Sequence, residues 1–274
     1  MLREVGKIYA RAFRMIFQYP SFWRLSIGYF FADLFVRVIL FSANRNLPTW
    51  KIFWSLLNIG RSFVYFCVPM IFILMVFQSE NEFDQQEIFR KVRLNFWKFV
   101  GQSLVGLLIV FLYTLPVFCL LMFAIYSEGM LLIAPFWFLV IGFLSMGSVT
   151  IAERILLDKG GGLFQNATTG LRMLNENLRF FTSIYFVEIL IWAVLFVPRV
   201  MIGSLITGVD IFSVPLIQFS DFYKNLILAI DVPWMTIIYK ILNFIIFPLN
   251  VIVPTLAYLR CKTQVPSPEP STEN

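Results

Sequence analysis

Apolar residues gather along the chain in six stretches, at residues 22–43, 52–77, 99–126, 130–152, 181–207 and 232–259. A helix needs roughly 20 predominantly apolar residues to cross a hydrocarbon core of about 30 Å, so all six qualify as spans. None shows the alternation of a barrel strand, and unpaired backbone groups are costly in lipid. Each is therefore expected to be helical. Between the spans, three polar segments place apolar residues in steps of three and four. The first holds Val5, Ile8, Ala12, Phe13 and Ile16 opposite Lys7, Arg11 and Arg14. The second holds Ile88, Phe89, Val92, Phe96 and Phe99. The third holds Phe164, Ala167, Leu171, Leu174, Leu178 and Phe181, with Gln165, Asn175, Glu176 and Arg179 mostly off the stripe. Each reads as an amphipathic helix in the inner headgroup layer, leading into a span.

These segments share details. Arg14-Met15-Ile16 before Phe22-Trp23 matches Arg172-Met173-Leu174 before Phe180-Phe181 at the same spacing, and Phe22-Trp23-Arg24-Leu25 echoes Phe96-Trp97-Lys98-Phe99. A threefold repeat of interfacial helix plus two-span hairpin accounts for this. So does the general similarity of basic amphipathic helices that precede spans.

Lysines and arginines set the orientation. Fifteen lie in the N-terminal segment, the second and fourth connections and the tail: Arg3, Lys7, Arg11, Arg14, Arg24, Arg90, Lys91, Arg93, Lys98, Arg154, Lys159, Arg172, Arg179, Arg260 and Lys262. The opposite side has three, Arg45, Lys51 and Lys224. Both termini are thus expected in the cytoplasm, in an all-α, multi-pass protein of the inner (cell) membrane. One membrane domain occupies residues 1–262, and the Pro-, Ser- and Glu-rich tail at 263–274 is expected to be disordered. On the outer side, residues 219–230 are expected to form a short surface helix. The first apolar run follows a charged start that reaches Arg24, with no small-residue cleavage site after it, and reads as an uncleaved span. Positive-inside sorting explains the net charge of +6, so no nucleic-acid partner is expected.

Composition then removes several chemistries. The chain is 59 % hydrophobic, against roughly 45–50 % for a soluble domain. Histidine is absent, which excludes Ser-His-Asp and Cys-His pairs and His-containing metal sites. Cys67, Cys119 and Cys261 lack CxxC spacing and read as small buried residues. The glycines at 160–162 are not followed by the Gly-Lys-Ser/Thr of a phosphate loop. No catalytic residue, metal or cofactor is assigned.

Ionisable residues inside spans need a reason, at about 2.5–3.5 kcal/mol each near a helix centre. There are six: Asp33, Arg37, Arg61, Glu188, Arg199 and Lys240. In the plainer reading, Asp33 pairs with Arg37 or Arg61, while Arg199 and Lys240 snorkel outward. In the sharper one, Arg37, Arg61, Arg199 and Lys240 converge on an anion near the outer leaflet, with Asp33 and Glu188 as acidic partners. A proton or ion relay through the two acids is a third. Prolines at 69, 116, 135, 198, 248 and 254 mark positions where spans can kink. Gly142, Ser145, Ser148 and Ala152 form a small-residue stripe suited to close helix contact.

Two patches carry a family resemblance. One is Gly161-Gly162, Ala167, Leu171, Asn175 and Phe180 before the fifth span; the other is the run Thr255-Leu256-Ala257-Tyr258-Leu259-Arg260. With the six-span layout, they resemble the membrane domain fused to some bacterial glycerophosphodiester phosphodiesterases, and its stand-alone relatives. The family commonly has an acidic residue where this chain has Leu259. The family's metal-binding hydrolase barrel has no counterpart here, so the resemblance implies a membrane module without that activity. The expected function is a non-enzymatic module that engages membrane lipids, anionic headgroups among them, or a membrane-protein partner or second copy. A transporter of a small anion or lipid is the alternative, and an intramembrane enzyme of lipid metabolism ranks last.

Overall fold

A computed structural model describes residues 2–42, 48–78, 84–123, 139–208, 224–226, 228 and 233–264. Side chains are outside the description at 32–42, 48–54, 58, 117–123, 233–245 and 264. The surface-helix expectation at 219–230, Pro135 and nearly all of the tail therefore lie largely outside the described residues, as do the side chains of Asp33, Arg37 and Lys240.

Every regular element among the described residues is helical. The helices are α1 (Leu2–Gln18), α2 (Pro20–Ser42), α3 (Pro48–Gln78), α4 (Gln85–Phe123), α5 (Leu139–Lys159), α6 (Leu163–Glu176), α7 (Leu178–Thr207) and α8 (Pro233–Gln264). Four segments are long and apolar enough to cross a membrane: Ser55–Gln78, Gln85–Pro116, Leu139–Lys159 and Leu178–Thr207. Their surfaces fit that role. Only 11 % of the apolar window of α7 is buried within the protein, and Val194 and Leu205 are 70 % and 82 % exposed. An aqueous protein does not leave so much contiguous apolar surface uncovered.

The last helix is the hub. Residues 251–258 of α8 are buried throughout, and α8 packs on α1, α2, α3, α5 and α7. Where α2, α3 and α8 meet, Phe22 stacks on Phe72, which meets Phe247 edge-on. Pro69, Pro116, Pro198, Pro248 and Pro254 all sit inside helices that continue through them.

The basic segments gather at one end of the bundle. Glu4 pairs with Arg260, Lys262 with Asp158, and Gln78 with Glu87. Gln102 donates to the Leu163 carbonyl. These contacts join the start of α1 and the end of α5 to the end of α8, the end of α3 to the start of α4, and α4 to the start of α6.

The amphipathic segments differ from expectation in detail. In α1 the buried stripe is Val5, Ile8, Ala12, Met15 and Ile16, and Phe13 is 41 % exposed. The second segment is not separate: it runs unbroken into α4, because nothing between Gln85 and Gly101 interrupts helix. In α6 the buried face is Asn166, Ala167, Gly170, Met173 and Leu174, leaving Phe164 and Leu178 outside. Gly170 causes that rotation, since it lets α6 lie directly on the Gly147 carbonyl of α5. Substituting Gly170 with Ala should destabilise the detergent-solubilised protein by about 1–3 kcal/mol, through backbone overlap. Gly6→Ala, with nothing within 4 Å of the new methyl, should not; equal melting temperatures for the two variants would refute the close contact.

The first and third segments break at matching places. Tyr19 N–H donates to Met15 O at 3.1 Å and Phe22 N–H to Tyr19 O at 3.0 Å. Asn177 N–H donates to Met173 O at 3.1 Å and Phe180 N–H to Asn177 O at 3.0 Å. These three pairs of positions keep the offset of the Arg-Met motif. Pro20, at the first position of α2, suits the start of a new helix, because it has no N–H to donate.

Candidate functional site

Helix α5 passes through a π-helical turn at Met146–Ile151 before resuming as α-helix to Lys159. Such a turn re-aims the residues that follow. The small-residue stripe makes its contacts here. Ser148 Oγ lies 3.3 Å from the Gly106 carbonyl of α4, and the Tyr185 hydroxyl of α7 fills the space beside Gly142.

Just past the turn, Glu153 and Arg154 face inward. Arg154 is 3 % exposed. Its Nη1 donates to Thr150 O at 2.6 Å and lies 3.3 Å from Glu153 Oε2. Nη2 reaches Val251 O at 3.2 Å, and Nε reaches Thr255 Oγ1 at 3.3 Å. The Ser103 hydroxyl of α4 lies 2.6 Å from Glu153 Oε1. One turn further on, Asp158 accepts from Tyr258 Oη at 2.6 Å and pairs with Lys262 Nζ at 2.6 Å. Two polar rungs thus fasten α5 to α8. Glu188 lies within electrostatic reach of Arg154, Tyr9 and Tyr185. Among the described residues its Oε1 and the Tyr9 hydroxyl are buried without a hydrogen-bond partner.

Beside the second rung a cleft of about 660 Å³ opens between α1 and the ends of α3 and α8. Glu4, Lys7, Ile8 and Arg11 line it from one face of α1, Val76 and Phe77 from α3, and Leu256, Leu259, Arg260, Lys262 and Thr263 from α8. The i, i+3, i+4, i+7 spacing of the α1 residues places them on one stripe. Four cations against Glu4 make the cleft basic, over an apolar floor.

Arg260 is the most constrained of the four. Its Nη2 holds Glu4 Oε2 at 2.8 Å, and its guanidinium sits 4.3 Å from the centroid of Phe180. Its Nη1 is buried and has no hydrogen-bond partner. The Arg260 hydrogen bond holds the Glu4 carboxyl below its ordinary value. The pair is therefore intact at neutral pH and is lost only as pH falls through that depressed value. Burial pushes the Cys261 thiol up to about 11, as fits a small buried residue.

Of the expected outer anion site, the side chains of Arg61 and Arg199 are described. Arg61 is exposed on α3, and Arg199 is half-buried on α7. Helix α3 packs on α2, α4, α5 and α8, and α7 on α1, α5, α6 and α8. Sequence reasoning missed Glu153 and Arg154 because it ended the fourth span at Ala152. The signal was in the text: Thr150, Glu153 and Arg154 follow an apolar run with no turn residue before Gly160. The groups of the Thr255–Arg260 run that carried the family resemblance are those that meet Arg154, Asp158 and Glu4.

Comparison of the chain with protein-family models, with curated proteins and with solved structures finds no match.

Proposed function

We propose that the chain is a six-span, non-enzymatic membrane module that holds an anionic lipid headgroup in the cleft between α1, α3 and α8. The observation that carries this reading is the lining of that cleft: Lys7, Arg11, Arg260 and Lys262 above Val76, Phe77, Leu256 and Leu259. A headgroup meets the cations and the acyl chains meet the floor, a combination suited to the membrane interface. In this reading the basic end is cytoplasmic, and α2 and α8 complete the six spans. The pairing of the first turn of α1 with the end of α8 supports an even number of crossings between them. At 39 residues, α4 is roughly 58 Å long, well beyond a ~30 Å core. Its basic first turns overhang into the headgroup layer, where Phe89, Leu94 and Trp97, each more than 60 % exposed, find an apolar partner in the lipid.

Native mass spectrometry of protein released from mixed vesicles tests the reading. Wild type should retain phosphatidylglycerol over phosphatidylcholine, and the Lys7→Ala/Arg11→Ala variant, altered at two exposed positions, should lose that preference. Equal retention by both proteins would remove the cleft from the account.

A further inference from the structure

We propose that the Glu4 carboxylate holds the place of a ligand phosphate, which on binding takes over Arg260 and detaches the first turn of α1 from α8. This rests on the cleft being an anion site. Glu4 is the one acid in a lining that carries four bases, and it sits on the cation that the fold orients best. Phe180 packs beneath the guanidinium and fixes its direction. A carboxylate oxygen uses Nη2 and leaves Nη1 buried and unpaired. A phosphate group has enough oxygens to engage both, and it would also meet Lys7 and Arg11 on the adjacent turns of α1. Lys262 is paired with Asp158. Glu4 is half exposed, so its hold on Arg260 is weak enough for a dianion or phosphodiester to displace. Its release would remove the Glu4–Arg260 ion pair between α1 and α8.

The phosphate could belong to a lipid headgroup or to a soluble phosphate ester, and two arms separate them. Full-length protein in phosphatidylcholine nanodiscs is titrated with inorganic phosphate, or assembled with graded phosphatidylglycerol. Binding and amide exchange at residues 6–9 are followed for wild type, Glu4→Gln and Lys7→Ala/Arg11→Ala. Glu4→Gln should bind roughly two- to fivefold more tightly. Wild-type exchange at 6–9 should rise on occupancy, while Glu4→Gln should start high. A response only to phosphatidylglycerol assigns the headgroup, and one to inorganic phosphate assigns a soluble ester. Equal or weaker binding by Glu4→Gln, with wild type still dependent on Lys7 and Arg11, would overturn the placeholder and leave the cleft standing. No binding by wild type in either arm, or binding unchanged in Lys7→Ala/Arg11→Ala, would overturn both.

Discussion

Arg154→Ala is expected to lower the apparent melting temperature of the solubilised protein by roughly 6–20 °C, the largest effect of any single side chain. The reason is asymmetry. Arg154 supplies hydrogen bonds to Thr150 O, Val251 O and Thr255 Oγ1 as well as facing Glu153. Removing it leaves a carboxylate inside the bundle without its cation, and such a loss costs about 3–5 kcal/mol. Replacing both charges with apolar residues of similar volume, as in Glu153→Leu/Arg154→Met, removes the uncompensated charge and should recover much of the loss. Thermal unfolding of the three proteins in one detergent checks the ordering. If the single variant melts within about 2 °C of wild type, the rung is wet and does not fasten α5 to α8.

Arg260→Ala is expected to weaken anionic-lipid binding by roughly 10- to 100-fold, the range for a lost hydrogen-bonded charge. The same change removes the Glu4 pair and the contact over Phe180. Arg260→Lys keeps the charge but not the planar fork, so its affinity should fall between the two. Arg61→Ala and Arg199→Ala should bind as wild type does, because the cleft lining contains neither residue. Lipid titration in nanodiscs separates these cases, and a loss confined to the Arg61 or Arg199 variant would move the site away from the cleft.

Much of the scaffold was legible in the residues. The apolar stretches at 52–77, 99–126, 130–152 and 181–207 overlap the four described segments long and apolar enough to cross a membrane, because length and hydropathy are local properties; residues 124–138 of the third and fourth stretches and their connection lie outside the described residues. The Arg-Met match has the same offset as the break shared by Tyr19 and Asn177, a feature that the sequence match alone does not specify. The buried stripes were less legible. Phe13, Phe89 and Phe164 belong by periodicity to the apolar stripes of helices expected in the headgroup layer, and they are 41 %, 61 % and 60 % exposed, whereas other stripe residues such as Val5, Ile88 and Ala167 are buried in the protein. An apolar face turned toward lipid looks the same in sequence as one turned toward protein, and only the packing partner distinguishes them. Arg154 and Arg260 were read as loop and tail cations that sort topology. Their roles depend on Val251, Thr255, Phe180 and Glu4, which lie about 80 residues or more away along the chain, and no local pattern announces such pairings.

The central claim is that an anionic lipid occupies the cleft formed by α1, α3 and α8. Photo-crosslinking with phosphatidylglycerol that carries a diazirine near its headgroup, followed by peptide mapping, tests it most directly. Adducts concentrated at residues 4–11 and 256–263, and lost in Arg260→Ala, are the predicted result. Adducts centred on Arg61 or Arg199, or spread evenly over the apolar belt of α4 and α7, would contradict it.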